Sequence, residues 1–233
     1  RLFDALLPQL PAAAEAIEDL LAAGASPAGA GLLAQALQRL DDSAAASSFA
    51  LGLLERGADP FGPDARERTP VHLAAAQGQL PVLQALLARG GDPNTRDTQG
   101  RTPLFAALEH GEKALPLVRV LVAHGADAEA TDANGETPLG LAFDHPEIER
   151  WLDWGDWTRP RRPLRADDLP AAAAAGALAA VDRLLELGFP VNTQDRQGAT
   201  ALLHACGMGH RDVAARLLDG GADSSLAAAN GMT

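Results

Sequence analysis

A glycine closes a Leu-Leu-x-x-Gly-like run at positions 24, 57, 90, 125, 155, 188 and 221, at successive spacings of 33, 33, 35, 30, 33 and 33 residues. No other feature of the chain limits its architecture so strongly. Self-similarity at a fixed period of this length marks a solenoid, in which each unit buries its apolar face only against its neighbours. Such an array leaves a long continuous face for a partner and offers no deep central cleft for chemistry, so the expected role is recognition. The expected organisation is one elongated domain, 1–233, with approximate units 1–27, 28–60, 61–93, 94–128, 129–158, 159–191 and 192–224, and the start of another at 225–233. Thr233 falls 33 residues after Thr200, so the array is expected to continue into further repeats.

Within a unit the residues set out a helix, a second helix and a turn. Thr69-Pro70-Val71-His72-Leu73-Ala74 is followed by Thr102-Pro103-Leu104-Phe105-Ala106-Ala107, by Thr137-Pro138-Leu139, and by the weaker copy Thr200-Ala201-Leu202-Leu203-His204-Ala205. Threonine suits a helix N-cap and proline the first helical position, so each Thr-Pro reads as a helix start. A second helix carries apolar residues 8, 7, 4 and 3 positions before each glycine, as in Val82, Leu83, Leu86 and Leu87 or Leu117, Val118, Leu121 and Val122. That is one stripe at helical spacing, and the glycine ends the helix. Asp97-Thr98-Gln99-Gly100, Asp132-Ala133-Asn134-Gly135 and Asp195-Arg196-Gln197-Gly198 then read as type I turns. The 35-residue unit has two extra residues around Glu112 to Leu115, and the 30-residue unit is shortened at Asp144-His145-Pro146.

The period and the Thr-Pro-Leu-His-x-Ala pattern together resemble the ankyrin repeat, over essentially the whole chain. Residues 1–60 keep the period without the Thr-Pro start, so the first two units are divergent copies. The resemblance implies an all-α solenoid of about seven helix-turn-helix units, with the turns projecting as hairpin fingers. It also implies that His72 forms structural hydrogen bonds within and between repeats, and that the face holding His204 and Met208 lines a partner groove.

Composition narrows the function. A net charge of -12 argues against a nucleic-acid groove or an anionic membrane surface as the target, because both are recognised through excess positive charge. Cys206 is the only cysteine, so no disulfide closes within the chain, which suits a cytoplasmic location. One lysine, Lys113, against eighteen arginines fits a GC-rich, bacterial coding sequence. His204, Cys206, Met208 and His210 lie close in sequence but do not share a helix face, and Gly207 and Gly209 read as the end of the helix around a buried cysteine. Neither a phosphate loop nor a serine elbow stands in the setting those sites require. No catalytic residue, metal or cofactor is therefore expected.

Arginine gathers in the finger segments, at Arg66, Arg68, Arg96, Arg101, Arg159, Arg161, Arg162, Arg165 and Arg196, whereas acids such as Glu147, Glu149, Asp182, Glu186 and Asp212 crowd the second helices. All three tryptophans fall in residues 151–165. Trp151 stands where the other units have leucine and reads as core. Trp154 precedes the glycine, at a place that holds Arg56, Arg89 or His124 elsewhere, so exposure is expected. Trp157 replaces a position that is aspartate in four of the other six units. Arg162-Pro163-Leu164-Arg165 aligns with Asp97 to Gly100 and is expected to form a turn, and Asp167-Asp168 to cap the following helix.

The expected function is a non-catalytic protein-protein interaction scaffold whose partner carries an acidic surface. Its expected contacts are the nine finger arginines, Thr98, Gln99, Gln197, Trp154, Trp157, His204 and Met208. The alternative is a structural spacer, or a regulatory or targeting module, of a longer protein. If the stripe of Val213, Leu217 and Leu218 belongs to an array that continues, it lacks its next neighbour within this chain.

Overall fold

The structure, a computed structural model, describes residues 3, 6–10, 12–28, 31–155 and 157–226; Thr233, the expected start of a further repeat, lies outside them. The chain divides into two compact units, Arg1–Leu152 and Asp153–Thr233. In the first unit the α-helices are α1 (Ala14–Ala22), α2 (Leu32–Leu37), α3 (Ala44–Glu55), α4 (Pro70–Ala76), α5 (Leu80–Ala88), α6 (Pro103–Leu108), α7 (Leu115–Ala123), α8 (Pro138–Leu141) and α9 (Pro146–Leu152). The second contains α10 (Asp168–Ala174), α11 (Leu178–Glu186), α12 (Ala201–Met208) and α13 (Arg211–Asp219). No strand forms among the described residues, and Gln194 pairs with Thr200 in an isolated bridge. The fold is all-α, as the period and motif imply.

Two layers form within each unit. In the first, α2, α4, α6 and α8 pack in sequence as one row, α3, α5, α7 and α9 as the other, and each repeat's two helices pack on each other. The second unit repeats the scheme with α10 on α12 and α11 on α13. The sequence stripes supply the interior: Val82, Leu83, Leu86 and Leu87 are buried, as are Leu117, Val118, Leu121 and Val122. Trp151 is buried at its leucine position, with the Arg119 guanidinium 4.5 Å from its ring centroid. In the last stripe Val213 and Leu217 are buried, whereas Leu218 is exposed.

Local chemistry sets the helix ends. Thr69, Thr102, Thr137 and Thr200 are N-caps, with proline opening the first three helices. At the end of α5, Gly90 takes a φ of 90° while its N–H and that of Gly91 return to the carbonyls of Leu87 and Leu86, both at 3.0 Å. That closure satisfies the last carbonyls of the helix and needs the left-handed conformation that glycine adopts without strain. The two-residue insertion appears as a 3-10 turn, Gly111–Ala114, ahead of α7, and the shortened unit reduces α8 to four residues. Both changes spare the stacked stripe.

Candidate functional site

Each regular finger is built around one aspartate. One oxygen of Asp64 accepts the N–H groups of Arg66 and Arg68 at 2.8 and 2.9 Å, and Asp97 does the same for Gln99 and Arg101 at the same distances. Asp132 holds Asn134 and Glu136, and Asp195 holds Gln197 and Ala199. The second oxygen of three of them takes a cationic side chain or histidine: Arg68 on Asp64 at 2.8 Å, Arg101 on Asp132 at 3.2 Å, and His204 on Asp195 at 2.7 Å. Burial opposes ionisation of Asp64, Asp132 and Asp195, but these donors outweigh it and hold all three carboxyls below the ordinary carboxylate range.

Neighbouring fingers in the first unit are tied by single backbone bonds. The Thr98 N–H donates to the Arg66 carbonyl at 3.0 Å, and the Ala133 N–H to the Gln99 carbonyl at 2.9 Å. Arg96 adds bonds from its guanidinium to the carbonyls of Gly100 and Thr131. His72 fixes the helix beneath. Its Nδ1 accepts the Thr69 N–H at 3.2 Å and lies 2.9 Å from the Thr69 hydroxyl, which leaves Nε2–H to donate to the Arg101 carbonyl at 3.0 Å. Burial lowers the His72 pKa from the ordinary histidine value, so the ring stays neutral.

The finger arginines thus fall into two groups. Arg68, Arg96, Arg101 and Arg162 hold the fold together, and Arg159 covers a tryptophan, so the expected free basic rim is smaller than nine. Arg66, Arg165 and Arg196 are exposed, as are Thr98, Gln99 and Gln197, while Arg161 is exposed and engaged in an interaction of its own.

The divergent finger corrects several expectations. Residues 161 and 162 form a bend and residues 163–165 have no regular structure, in place of the expected turn, because Arg162 stands where the other fingers have aspartate. Its guanidinium instead grips Asp168 through both terminal nitrogens, at 2.7 and 3.0 Å, and that carboxylate raises the Arg162 pKa. Asp168 also accepts the Arg165 N–H at 2.7 Å. The acidic pair does not cap α10: Asp167 occupies the N-cap without a side-chain bond, and Asp168 is spent on the finger. Trp154, expected to be exposed, is only 4% exposed. Its ring lies 5.6 Å from that of half-buried Trp157, with the guanidinium groups of Arg159 and Arg183 at 5.8 and 5.7 Å. Aromatic and cation–π contacts cover an indole that an arginine-tolerant position would leave in water.

At the other end of the second unit, α12 runs through Gly207 and stops at Gly209, whose φ is 80°. Cys206 is consequently exposed, contrary to expectation. His204 is half-buried on its aspartate and Met208 is 65% exposed. Among the described residues no three His, Cys, Asp or Glu side chains are placed to hold a metal, and no helix is long and apolar enough to cross a membrane.

Clefts lie between the fingers and the first-helix row. One, of about 470 Å³, is lined by Arg66, Arg68, Arg101, Thr98, Gln99 and Thr102 among others; another, of about 280 Å³, by Gln38, Asp64, Arg66, Arg68 and Gln77; and a third, in the second unit and also of about 280 Å³, by Asp167, Asp195, Arg196, Gln197 and His204. Sequence reasoning did not find Thr102 or Glu109, which also lines the first cleft. The signal was present at Thr102: the motif histidine that serves Thr69 is replaced by Phe105, which leaves the Thr102 hydroxyl buried without a partner.

A family model described as ankyrin repeats (3 copies) matches residues 44–132 and 71–153, and another described as ankyrin repeats (many copies) matches residues 169–218. A search of curated proteins finds no match to the chain. The repeated motif, the paired helix rows, the aspartate-built fingers and family matches over more than half of its length agree: the chain belongs to the ankyrin-repeat family.

Proposed function

We propose that the chain is a non-catalytic scaffold that binds an acidic protein partner through its fingers and the adjoining face of its first helices. Ankyrin repeats are generally protein-interaction modules and typically lack catalysis. The observation that carries the finer reading is the exposure of Arg66, Arg165 and Arg196, with Thr98, Gln99 and Gln197, on turns whose shape is fixed by buried or half-buried aspartates. Rigid presentation lowers the ordering cost of binding, and cationic rim groups in a chain of net charge -12 select acidic surfaces locally. Met208 and half-buried Trp157 supply apolar contact, whereas Trp154 serves as the packed floor beneath Trp157. The free cysteine Cys206 suits a reducing compartment, and we place the chain in the cytoplasm.

The test is affinity capture of a partner from the source cells, followed by measurement of its association with Arg66→Glu, Arg165→Glu and Arg196→Glu variants. None of these side chains holds a finger together, so native helix content is expected in each. Slower association and a weaker salt dependence support the reading; unchanged kinetics in all three overturn it.

A further inference from the structure

We infer that the 470 Å³ cleft between the fingers of residues 64–68 and 97–101 is a seat for the carboxylate side chain of an extended acidic segment of the partner. This deepens the proposed function and rests on it. Three guanidinium groups, from Arg66, Arg68 and Arg101, line the cleft. Two are already paired with carboxylates outside it: Arg68 with Asp64, and Arg101 with Asp132 at 3.2 Å and Glu136 at 3.5 Å. Arg66 is exposed and bears no such tie, so its charge is available to a ligand. Of the two acids in the lining, Asp97 has one oxygen committed to the N–H groups of Gln99 and Arg101. The other, Glu109, is 66% exposed and places a carboxylate oxygen 3.6 Å from Arg101 Nη1. This distance is too long for a hydrogen bond, so Glu109 forms only a loose ion pair at the edge of the cleft.

The second feature is independent of charge. Thr102 lines the cleft, is 1% exposed, and its hydroxyl has no hydrogen-bond partner. At the equivalent place below, Thr69 is satisfied by His72; here Phe105 removes that acceptor, and the Arg101 guanidinium lies 5.7 Å from the phenyl centroid. A buried hydroxyl left unpaired is unfavourable, and an acceptor entering the cleft relieves it. A carboxylate meets both needs, because it pairs with Arg66 and offers acceptor lone pairs to the Thr102 O–H.

The experiment measures fluorescence anisotropy of a labelled ten-residue Glu-Ser repeat peptide with the whole chain, with the Gln-Ser peptide as control. The Glu-Ser peptide is expected to bind in a salt-dependent manner and the Gln-Ser peptide not to bind. Arg66→Ala is expected to weaken binding about two- to fivefold, the range of an exposed ion pair. Thr102→Val, which changes no charge, is expected to weaken it about tenfold, as loss of a hydrogen bond to a charged group does. Glu109→Gln, which removes the competing carboxylate, is expected to tighten binding more than Glu55→Gln, a charge-matched change on α3 away from the cleft. Thermal melts establish that each variant folds. Equal binding of the two peptides, unchanged binding by folded Thr102→Val, or equal effects of Glu109→Gln and Glu55→Gln would overturn the assignment. So would a phosphoserine peptide of equal charge binding about tenfold tighter, since the seat would then suit a phosphate. If the Glu-Ser peptide does not bind yet Arg66→Glu slows capture of the protein partner, the carboxylate seat falls and the finger reading stands.

Discussion

Replacing His72 by phenylalanine isolates the hydrogen bonds that join two repeats. The chain itself holds phenylalanine at the equivalent place one repeat later, where Phe105 is buried, so the side-chain volume is tolerated in this helix row. What His72→Phe removes is the acceptor for the Thr69 N–H and hydroxyl and the donor to the Arg101 carbonyl. At roughly 1 kcal/mol net for each bond, offset in part by the larger apolar ring, the expected loss is about 2 kcal/mol. In a chain of this size that corresponds to a fall in Tm of about 4–8 °C. The pH dependence gives a second reading. Burial lowers the folded-state pKa of His72, so between that value and the unfolded one the unfolded chain binds more protons. The stabilisation is therefore complete above the unfolded value near 6.5 and is lost as the pH falls through the folded value. Guanidinium unfolding at pH 7.5 and pH 5.5 should show the wild type losing stability between the two and His72→Phe losing less. A cost below about 0.5 kcal/mol, or identical pH dependence in the two proteins, would refute the reasoning.

Glu67 has a φ of 60° at the finger position where Gly100, Gly135 and Gly198 also take positive φ, so Glu67→Gly is expected to stabilise the chain by about 0.5–1 kcal/mol in denaturant unfolding, with a loss of stability as the contrary result. Thr102→Val should be neutral or stabilising because it removes an unpaired buried hydroxyl, whereas Thr69→Val should cost about 1 kcal/mol; equal losses would contradict the assignment of the two hydroxyls. Asp64, Asp132 and Asp195 have lowered pKa values, so their stabilisation is present above the ordinary carboxylate range and is lost as the pH falls below about 4. Circular dichroism on acidification should show this unfolding with a smaller stability change for Asp195→Asn. Truncating Trp154 to alanine should cost about 3 kcal/mol through a cavity under Trp157, and a cost below about 1 kcal/mol would return that indole to the surface.

The array was legible because its signals are local and repeated. Thr-Pro starts, a stripe at helical spacing and a terminal glycine each have a backbone cause, and they recur at the same offsets in Leu83–Gly90 and Val118–Gly125. Where one unit departs from the others, positional comparison lost its footing. Trp154 stands where other units have Arg56 and His124, yet its burial depends on Trp157, Arg159 and Arg183, the last 29 residues away in sequence. Asp167-Asp168 has the composition of a cap, but Arg162 competes for the second carboxylate from the anomalous finger. The arginine count exposes the finger bias, and the place within the finger separates its members: Arg66 stands two residues after its aspartate and is exposed, whereas Arg68 and Arg101 stand four after theirs and are held by carboxylates.

The central claim, that exposed finger side chains recruit a protein, is tested most directly by quantitative affinity capture with the wild-type chain and an Arg66→Glu, Arg165→Glu, Arg196→Glu triple variant of matched melting temperature. The account predicts at least one protein partner that is captured by the wild type, carries an acidic surface at its cross-linked site, and is lost from the variant. A partner retained equally by both folded proteins, or cross-linked only to the second-helix row, would contradict it.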